Sequence, residues 1–152
     1  MVGSAIEVAV KTFGESLKPG SKVLDVGCGL RPYERYFASG EYVGLDVWVS
    51  GRRKEEKQAD VYFDGLSIPF GDAHFDAIVC TEVLEHCVDP QKLLSECHRV
   101  LRANGVICIT VPFIWGVHEA PFDFRRYTTF GLEKDLKRSG LEPYHLERLD
   151  VG

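Results

Sequence analysis

The stretch Val23-Leu24-Asp25-Val26-Gly27-Cys28-Gly29-Leu30-Arg31 decides the fold. Lys22 to Val26 is an apolar run with β-branched residues and one acid near its end, and it breaks at two glycines spaced Gly-x-Gly. Pro32 and an aromatic-rich helical pattern, Tyr33-Glu34-Arg35-Tyr36-Phe37, follow at once. A buried strand, a glycine turn and a helix N-terminus make the first βα corner of a nucleotide-binding α/β domain. Glycine suits such a turn because a side chain there would hold the backbone away from a ligand. A lone Gly-x-Gly is a weak signal, so the flanking segments carry the rest.

Upstream, Ile6, Val10, Phe13 and Leu17 recur at helical spacing until Pro19-Gly20, which predicts a covering helix within residues 1–20. Downstream, Tyr42-Val43-Gly44-Leu45-Asp46 and Val61-Tyr62-Phe63-Asp64 are two short apolar strands, each ending on an acid. The charged segment Ser50–Gln58 between them reads as a solvated loop or short helix. Phe75–Cys80 is a fourth strand. Asp89-Pro90 then starts a helix, with Leu93, Leu94, Cys97, Val100 and Leu101 on one side and a left-handed cap expected at Asn104-Gly105. Val106–Val111 is apolar almost throughout, as a strand covered on both faces should be. After an irregular loop at 113–128, Thr129 is placed as the cap of a helix through Gly140, and Leu141–Leu149 as the start of a sixth strand. This order predicts a Rossmann-like, doubly wound, mostly parallel α/β sheet with right-handed crossovers, in a single domain over residues 1–152.

Composition narrows the function classes. A net charge of −5 gives no broad surface for a polyanion, so generic nucleic-acid binding is not expected. No apolar run approaches the roughly 18–20 residues of a membrane span, and the first residues lack the pattern of a signal peptide. Cys28, Cys80, Cys87, Cys97 and Cys108 form an odd set without a Cys-x-x-Cys pair, which reads as reduced, buried thiols in a cytoplasmic protein. Adjacent Cys97-His98 point two ways on one helix, and no metal site is expected.

Asp25, Asp46 and Asp64 end three successive strands, and in an open parallel sheet the ligand lies beyond those ends. A pyrophosphate would be repelled by Asp25 beside the glycine turn, whereas a cationic or zwitterionic ligand bearing a ribose suits the three acids. Asp46 is then the acceptor for two ribose hydroxyls and Asp64 for an exocyclic amine of a base.

Val23–Gly29 resembles motif I of the class I S-adenosylmethionine-dependent methyltransferases, in their type 11-like group. Tyr42–Asp46 resembles the second motif, and Asp64, shortly before Ile68-Pro69-Phe70, matches the acid on the adenine side. Phe75–His86 resembles the fourth motif, and Leu101-Arg102-Ala103-Asn104-Gly105 resembles the Leu-Lys/Arg-Pro-Gly-Gly turn before strand five. The resemblance implies S-adenosylmethionine as cofactor, with Asp25, Gly27, Cys28, Gly29, Asp46, Val47, Asp64, Gly65, Leu66, Cys80, Thr81 and Glu82 around it. It implies methyl transfer to a small-molecule or glycan-type acceptor, on oxygen or nitrogen. Arg31 stands where the family often has a third glycine, and Gly-Cys-Gly-x-x-Pro-Tyr is similar to members met in glycan pathways. The family's sheet has seven strands, so a chain that stops after the sixth is either a truncated form or has its sheet edge completed otherwise, as by a homodimer.

The family builds its acceptor wall from the loops after strands four and five. Here His118 and His86 are the candidate bases, since imidazole exchanges a proton near neutral pH. Trp115, Glu119 and Tyr127 would line the acceptor, and Arg125 or Arg126 would clamp an anionic group on it. Two other classes compete: a non-catalytic S-adenosylmethionine-binding module, and an NAD-dependent oxidoreductase, which Asp25 at the phosphate corner disfavours.

Overall fold

The structure, a computed structural model, describes residues 2–149, with side chains from residue 5 onward. Five strands, β1 (Lys22–Val26), β2 (Glu41–Val47), β3 (Val61–Phe63), β4 (Phe75–Thr81) and β5 (Leu101–Thr110), pair in parallel in the order β3-β2-β1-β4-β5. Alternation along the central strands divides the core in two. Val23, Ala77 and Val79 face Phe37 and the Ile6 and Val10 side of α1 (Val2–Ser16). Leu24, Val26, Ile78 and Cys80 face the other way, toward Leu93, Leu94 and Cys97 of α2 (Pro90–Val100) and Leu132 and Leu136 of α3 (Thr129–Arg138). Burial on both faces is why these strands read as continuous apolar runs.

The start of α2 follows the sequence closely. The Asp89 carboxylate accepts the Lys92 amide at 2.9 Å, and Pro90 opens the first turn, where its missing N–H has no partner to lose. The cap of α3 lies one residue earlier than expected, at Thr128, whose hydroxyl accepts the Gly131 amide at 3.0 Å.

Three expectations are corrected. Tyr33–Phe37 makes only a 3₁₀ turn over Glu34–Phe37, because β2 resumes at Glu41 and leaves no length for an α-helix. The helix α2 ends at Val100, not at Asn104-Gly105. Leu101 is instead drawn into β5 by pairing with Phe75, and left-handed Asn104 (φ 64°) sits where the register jumps from Phe75–Leu101 to Ala77–Val106. Residues 141–149 form no strand: Leu141 packs into the core, but Pro143 removes a ladder donor, and among the described residues no strand pairs with the segment. Among the described residues the sheet therefore has five strands, not six, and β5 is an outer strand. No helix among them is long and apolar enough to cross a membrane.

Candidate cofactor and acceptor site

The strand order reverses between β1 and β4, and the glycine turn leaves β1 at that switch point. Gly27 and Cys28 both donate their amides to the Leu45 carbonyl, at 2.7 and 3.1 Å, which pins the turn to β2. Gly27 has φ 76° and Gly29 φ 51°, the left-handed region that glycine enters freely. A Cβ on Gly27 would stand 2.4 Å from Val83 Cγ2, so the turn and the end of β4 are in close contact.

Arg31, in the place of a third glycine, is also left-handed (φ 59°). Its guanidinium pairs with Asp60 at 2.7 Å and Glu34 at 2.8 Å and lies over the Tyr42 ring, 4.9 Å from the centroid. The Tyr42 hydroxyl in turn donates to Asp25. Arg31 thus holds the underside of the turn through Tyr42 and the start of β3. Asp25 is 1% exposed; burial pushes its carboxyl up to about 6, although the Tyr42 hydrogen bond pulls the other way.

Asp46 braces the same turn. One carboxylate oxygen accepts the Gly29 amide at 3.0 Å, and the other accepts the Val47 amide at 2.7 Å and lies 3.9 Å from Lys57 Nζ. Lys57 Nζ donates to the Val47 carbonyl at 2.8 Å. Asp64 is occupied locally, accepting the Leu66 and Ser67 amides at 2.8 Å each across left-handed Gly65, and these bonds hold its carboxyl below the usual range. The register sets the three acids on a staircase rather than around one point. Asp25 is level with Gly44, two residues short of Asp46, and Asp46 is level with Tyr62, two residues short of Asp64. The innermost step is buried and the outermost exposed. The Cys28 and Cys80 thiols flanking the turn are buried, and burial pushes Cys28 up to about 12 and Cys80 well above its ordinary value, so neither is a nucleophile.

A nucleoside bearing an amino acid fits this cradle. A Cβ on Gly29 would meet the tip of a flexible side chain, Arg52 Nη1, at 2.9 Å, and the Glu56 carbonyl only at an ordinary contact distance of 3.9 Å, so the crowding above the turn comes from a side chain that can swing away. Asp46 keeps lone pairs free after its two amide bonds.

On the acceptor side the ends of β4 and β5 are laced together. Glu82, left-handed at φ 53°, donates its amide to the Thr110 carbonyl, and the Thr110 hydroxyl donates to the Glu82 carboxylate, both at 3.0 Å. After Thr81 and Glu82 a 3₁₀ turn, Leu84–His86, presents Glu85 and His86. The loop at 113–128 folds back onto that turn: the Phe124 amide donates to the Glu85 carbonyl at 2.8 Å, and His86 Nδ1 lies 2.5 Å from the Phe122 carbonyl. This brings the His118 ring edge-on to His86, centroids 4.7 Å apart. Both candidate bases therefore occupy one spot, with Glu85 beneath them. Burial pushes the Glu85 carboxyl up to about 8.

The other acceptor candidates are disposed differently. Arg125 donates to the carbonyls of Leu84 and Cys87, and Arg126 to Asp123 and the carbonyls of Trp115 and Gly116. Both guanidiniums are spent in fastening the loop, so the expected anion clamp is not assembled. Tyr127 is a core residue packed near α3, and Trp115 stands at the surface. Glu119, left-handed at φ 51°, accepts from Arg52 Nε at 2.6 Å and so ties the loop after β2 to the acceptor loop. Nothing in the mixed charges of Ser50–Gln58 singled out Arg52 or Lys57. Arg31, Glu82 and Glu119, three of the five left-handed non-glycine residues among those described, lie around this site. Such conformations cost about 1–3 kcal/mol each and gather at functional sites.

A glycine turn at a sheet's switch point, with an acid at the end of the neighbouring strand, is the frame of the class I S-adenosylmethionine-dependent methyltransferases. The chain belongs to that family: residues 24–109 match its model, described as a methyltransferase domain, and the cofactor is S-adenosylmethionine. It is 31% identical over 123 residues to the human protein named probable tRNA methyltransferase 9B, covering 77% of this chain and 26% of that one. It is 33% identical over 107 residues to demethylmenaquinone methyltransferase of Lysinibacillus sphaericus, covering 62% and 46%. The chain thus spans half or less of these relatives' lengths. Among solved structures, 1,6-didemethyltoxoflavin-N1-methyltransferase of Burkholderia thailandensis, with bound 1,6-didemethyltoxoflavin and S-adenosylhomocysteine, superposes with a TM-score of 0.75 at 22% identity, covering 97% of this chain and 72% of that one. That likeness establishes the fold.

Proposed function

We propose that residues 1–152 act as one methyltransferase domain, moving a methyl group to oxygen or nitrogen of a small-molecule or glycan-type acceptor. The observation that carries this is the meeting of His86 and His118 beside the glycine turn, at the carboxyl ends of β4 and β5. When bound, S-adenosylmethionine supplies an electrophilic methyl on a sulfonium. The main chain at Gly27, Cys28 and Gly29 would carry its amino-acid portion, Asp46 and Val47 the ribose, and Asp64, Gly65 and Leu66 the base, with Cys80, Thr81 and Glu82 as the floor. Asp25 is too buried to touch the ligand and acts by stiffening the turn. His86 and His118 would stand on the acceptor side, where positioning and proton removal act on the rate.

The relatives' names point to acceptors as different as a tRNA and a demethylmenaquinone, so the fold does not choose one. The net charge of −5 favours a small acceptor over a polyanion. We place the chain in a reducing, cytoplasmic setting, in keeping with five unpaired cysteines. A second copy is our occupant for the outer edge of β5, where a two-fold axis would pair the strand with itself.

Methyl-labelled S-adenosylmethionine offered with a panel of phenols, sugars and amines tests the function. Label transfer is expected, falling at least about 100-fold in His118→Ala; unchanged turnover in that variant on the true acceptor would remove His118 from the site.

A further inference from the structure

Among the described residues, Glu85 is the one with two buried side-chain oxygens left without a partner. Its side chain is 0% exposed, and neither carboxylate oxygen has a hydrogen-bond partner. A dry, unpaired carboxyl stays protonated unless a cation sits beside it, so a cation at this spot is what would let Glu85 ionise. Among the described residues no Lys or Arg forms an ion pair with it: Arg125 and Arg126, on the acceptor loop, are bonded to backbone carbonyls and to Asp123, and Arg126 acts on Glu85 only at longer range.

What does face Glu85 is a pair of imidazoles. His86 Nε2 lies 3.6 Å and His118 Nε2 3.9 Å from Glu85 Oε1, too far for hydrogen bonds. One ligand atom from each of the three residues lies within 4.8 Å of the others. Two atoms each about 2.0–2.2 Å from one ion stand no more than about 4.4 Å apart, and the 3.6 and 3.9 Å separations from Glu85 Oε1 fall inside that bound. The tautomers agree. His86 Nδ1 is against the Phe122 carbonyl at 2.5 Å, and His118 Nδ1 is 3.1 Å from the Gly116 carbonyl. A carbonyl only accepts, so each Nδ1 carries the proton and each Nε2 turns a lone pair toward Glu85, the arrangement that orients histidine ligands in metal sites.

We propose that Glu85, His86 and His118 bind a divalent first-row transition-metal cation. Two imidazoles and one carboxylate suit manganese, iron, cobalt or zinc, whereas calcium calls for six to eight oxygens. Three protein ligands leave positions open for water and for an acceptor oxygen. Resting on the methyl-transfer reading, the site selects a hydroxyl-bearing acceptor, whose oxygen the cation holds and whose proton it makes more acidic. The histidines would then act as ligands rather than bases: the acceptor oxygen gains the methyl as the methyl–sulfur bond breaks to leave S-adenosylhomocysteine, and the hydroxyl proton leaves to solvent water at an open coordination position. The spacing gave no sign in the sequence, because His118 comes from a separate loop that only the fold brings back to Glu85-His86.

Binding is read on the full chain without cofactor or acceptor, by titrating Mn(II) with electron paramagnetic resonance and Co(II) by its visible absorption. One saturable site per chain is expected, weakened at least about tenfold in Glu85→Gln and in His118→Asn, while His145→Asn on the exposed C-terminal segment leaves it unchanged. Because His118 lies on a surface loop, His118→Asn keeps the test sound should Glu85→Gln fold poorly; circular dichroism checks both. Absence of saturable binding, or binding untouched by the His118 and Glu85 variants, would overturn the proposal. Methyl transfer unaffected by metal chelation would overturn the acceptor role while leaving the methyltransferase reading standing; metal binding without any methyl transfer would overturn that reading, and the acceptor role with it, while leaving the metal site standing.

Discussion

Asp25 holds a carboxyl inside the sheet with one hydrogen-bond donor, Tyr42, and its raised pKa has a stability consequence. A group whose folded pKa is about 6 against an ordinary 3.8 binds its proton more tightly when folded. Its contribution is therefore most favourable at low pH and declines as pH rises from about 4 to about 6, by on the order of 3 kcal/mol in all. Asn at this position still accepts from Tyr42 but does not ionise. Urea unfolding of Asp25→Asn should show this slope gone, and a variant more stable than the parent at about pH 7.5; identical slopes in both proteins would refute the assignment. Residues at this scale were unevenly legible. Asp46 could be read because strand-end acids have a fixed relation to a glycine turn. Arg31 could not, because its partners Asp60, Glu34 and Tyr42 come from three separate segments. Arg125 and Arg126 misled because arginine serves an anion and a backbone carbonyl equally well, and only the loop's path shows which it meets.

Among the elements, local chemistry made helix starts readable and ends less so. Asp89 followed by Pro90 left α2 one place to begin, since side chain and backbone agree there. Asp89→Ala, which loses the bond to the Lys92 amide, should lower stability by about 1 kcal/mol in denaturant titrations; no change would mean that the cap is replaced by water. The end of α2 was misplaced because Asn-Gly fits a helix cap and a strand irregularity alike, and the choice falls to Phe75 on a neighbouring strand. The same dependence on distant partners explains Leu141–Leu149, where an apolar start suggested a strand but no adjacent edge receives it.

For the whole molecule, the parallel sheet and the glycine turn at its switch point were legible in the sequence, while the acceptor side depended on a loop whose course follows from contacts with Glu85 and Phe122. The outer edge of β5, with Val106–Thr110 only partly buried, offers unpaired backbone groups. Sedimentation of the chain is expected to show a dimer that a lysine at Ile107 or Ile109 weakens; a monomer at every concentration would contradict self-pairing. The central claim, that the Gly27–Gly29 turn with Asp46 holds S-adenosylmethionine, is tested most directly by calorimetric titration with S-adenosylhomocysteine. One site per chain is expected, weakened at least about tenfold in Asp46→Ala; no saturable heat, or equal affinity in that variant, would contradict it.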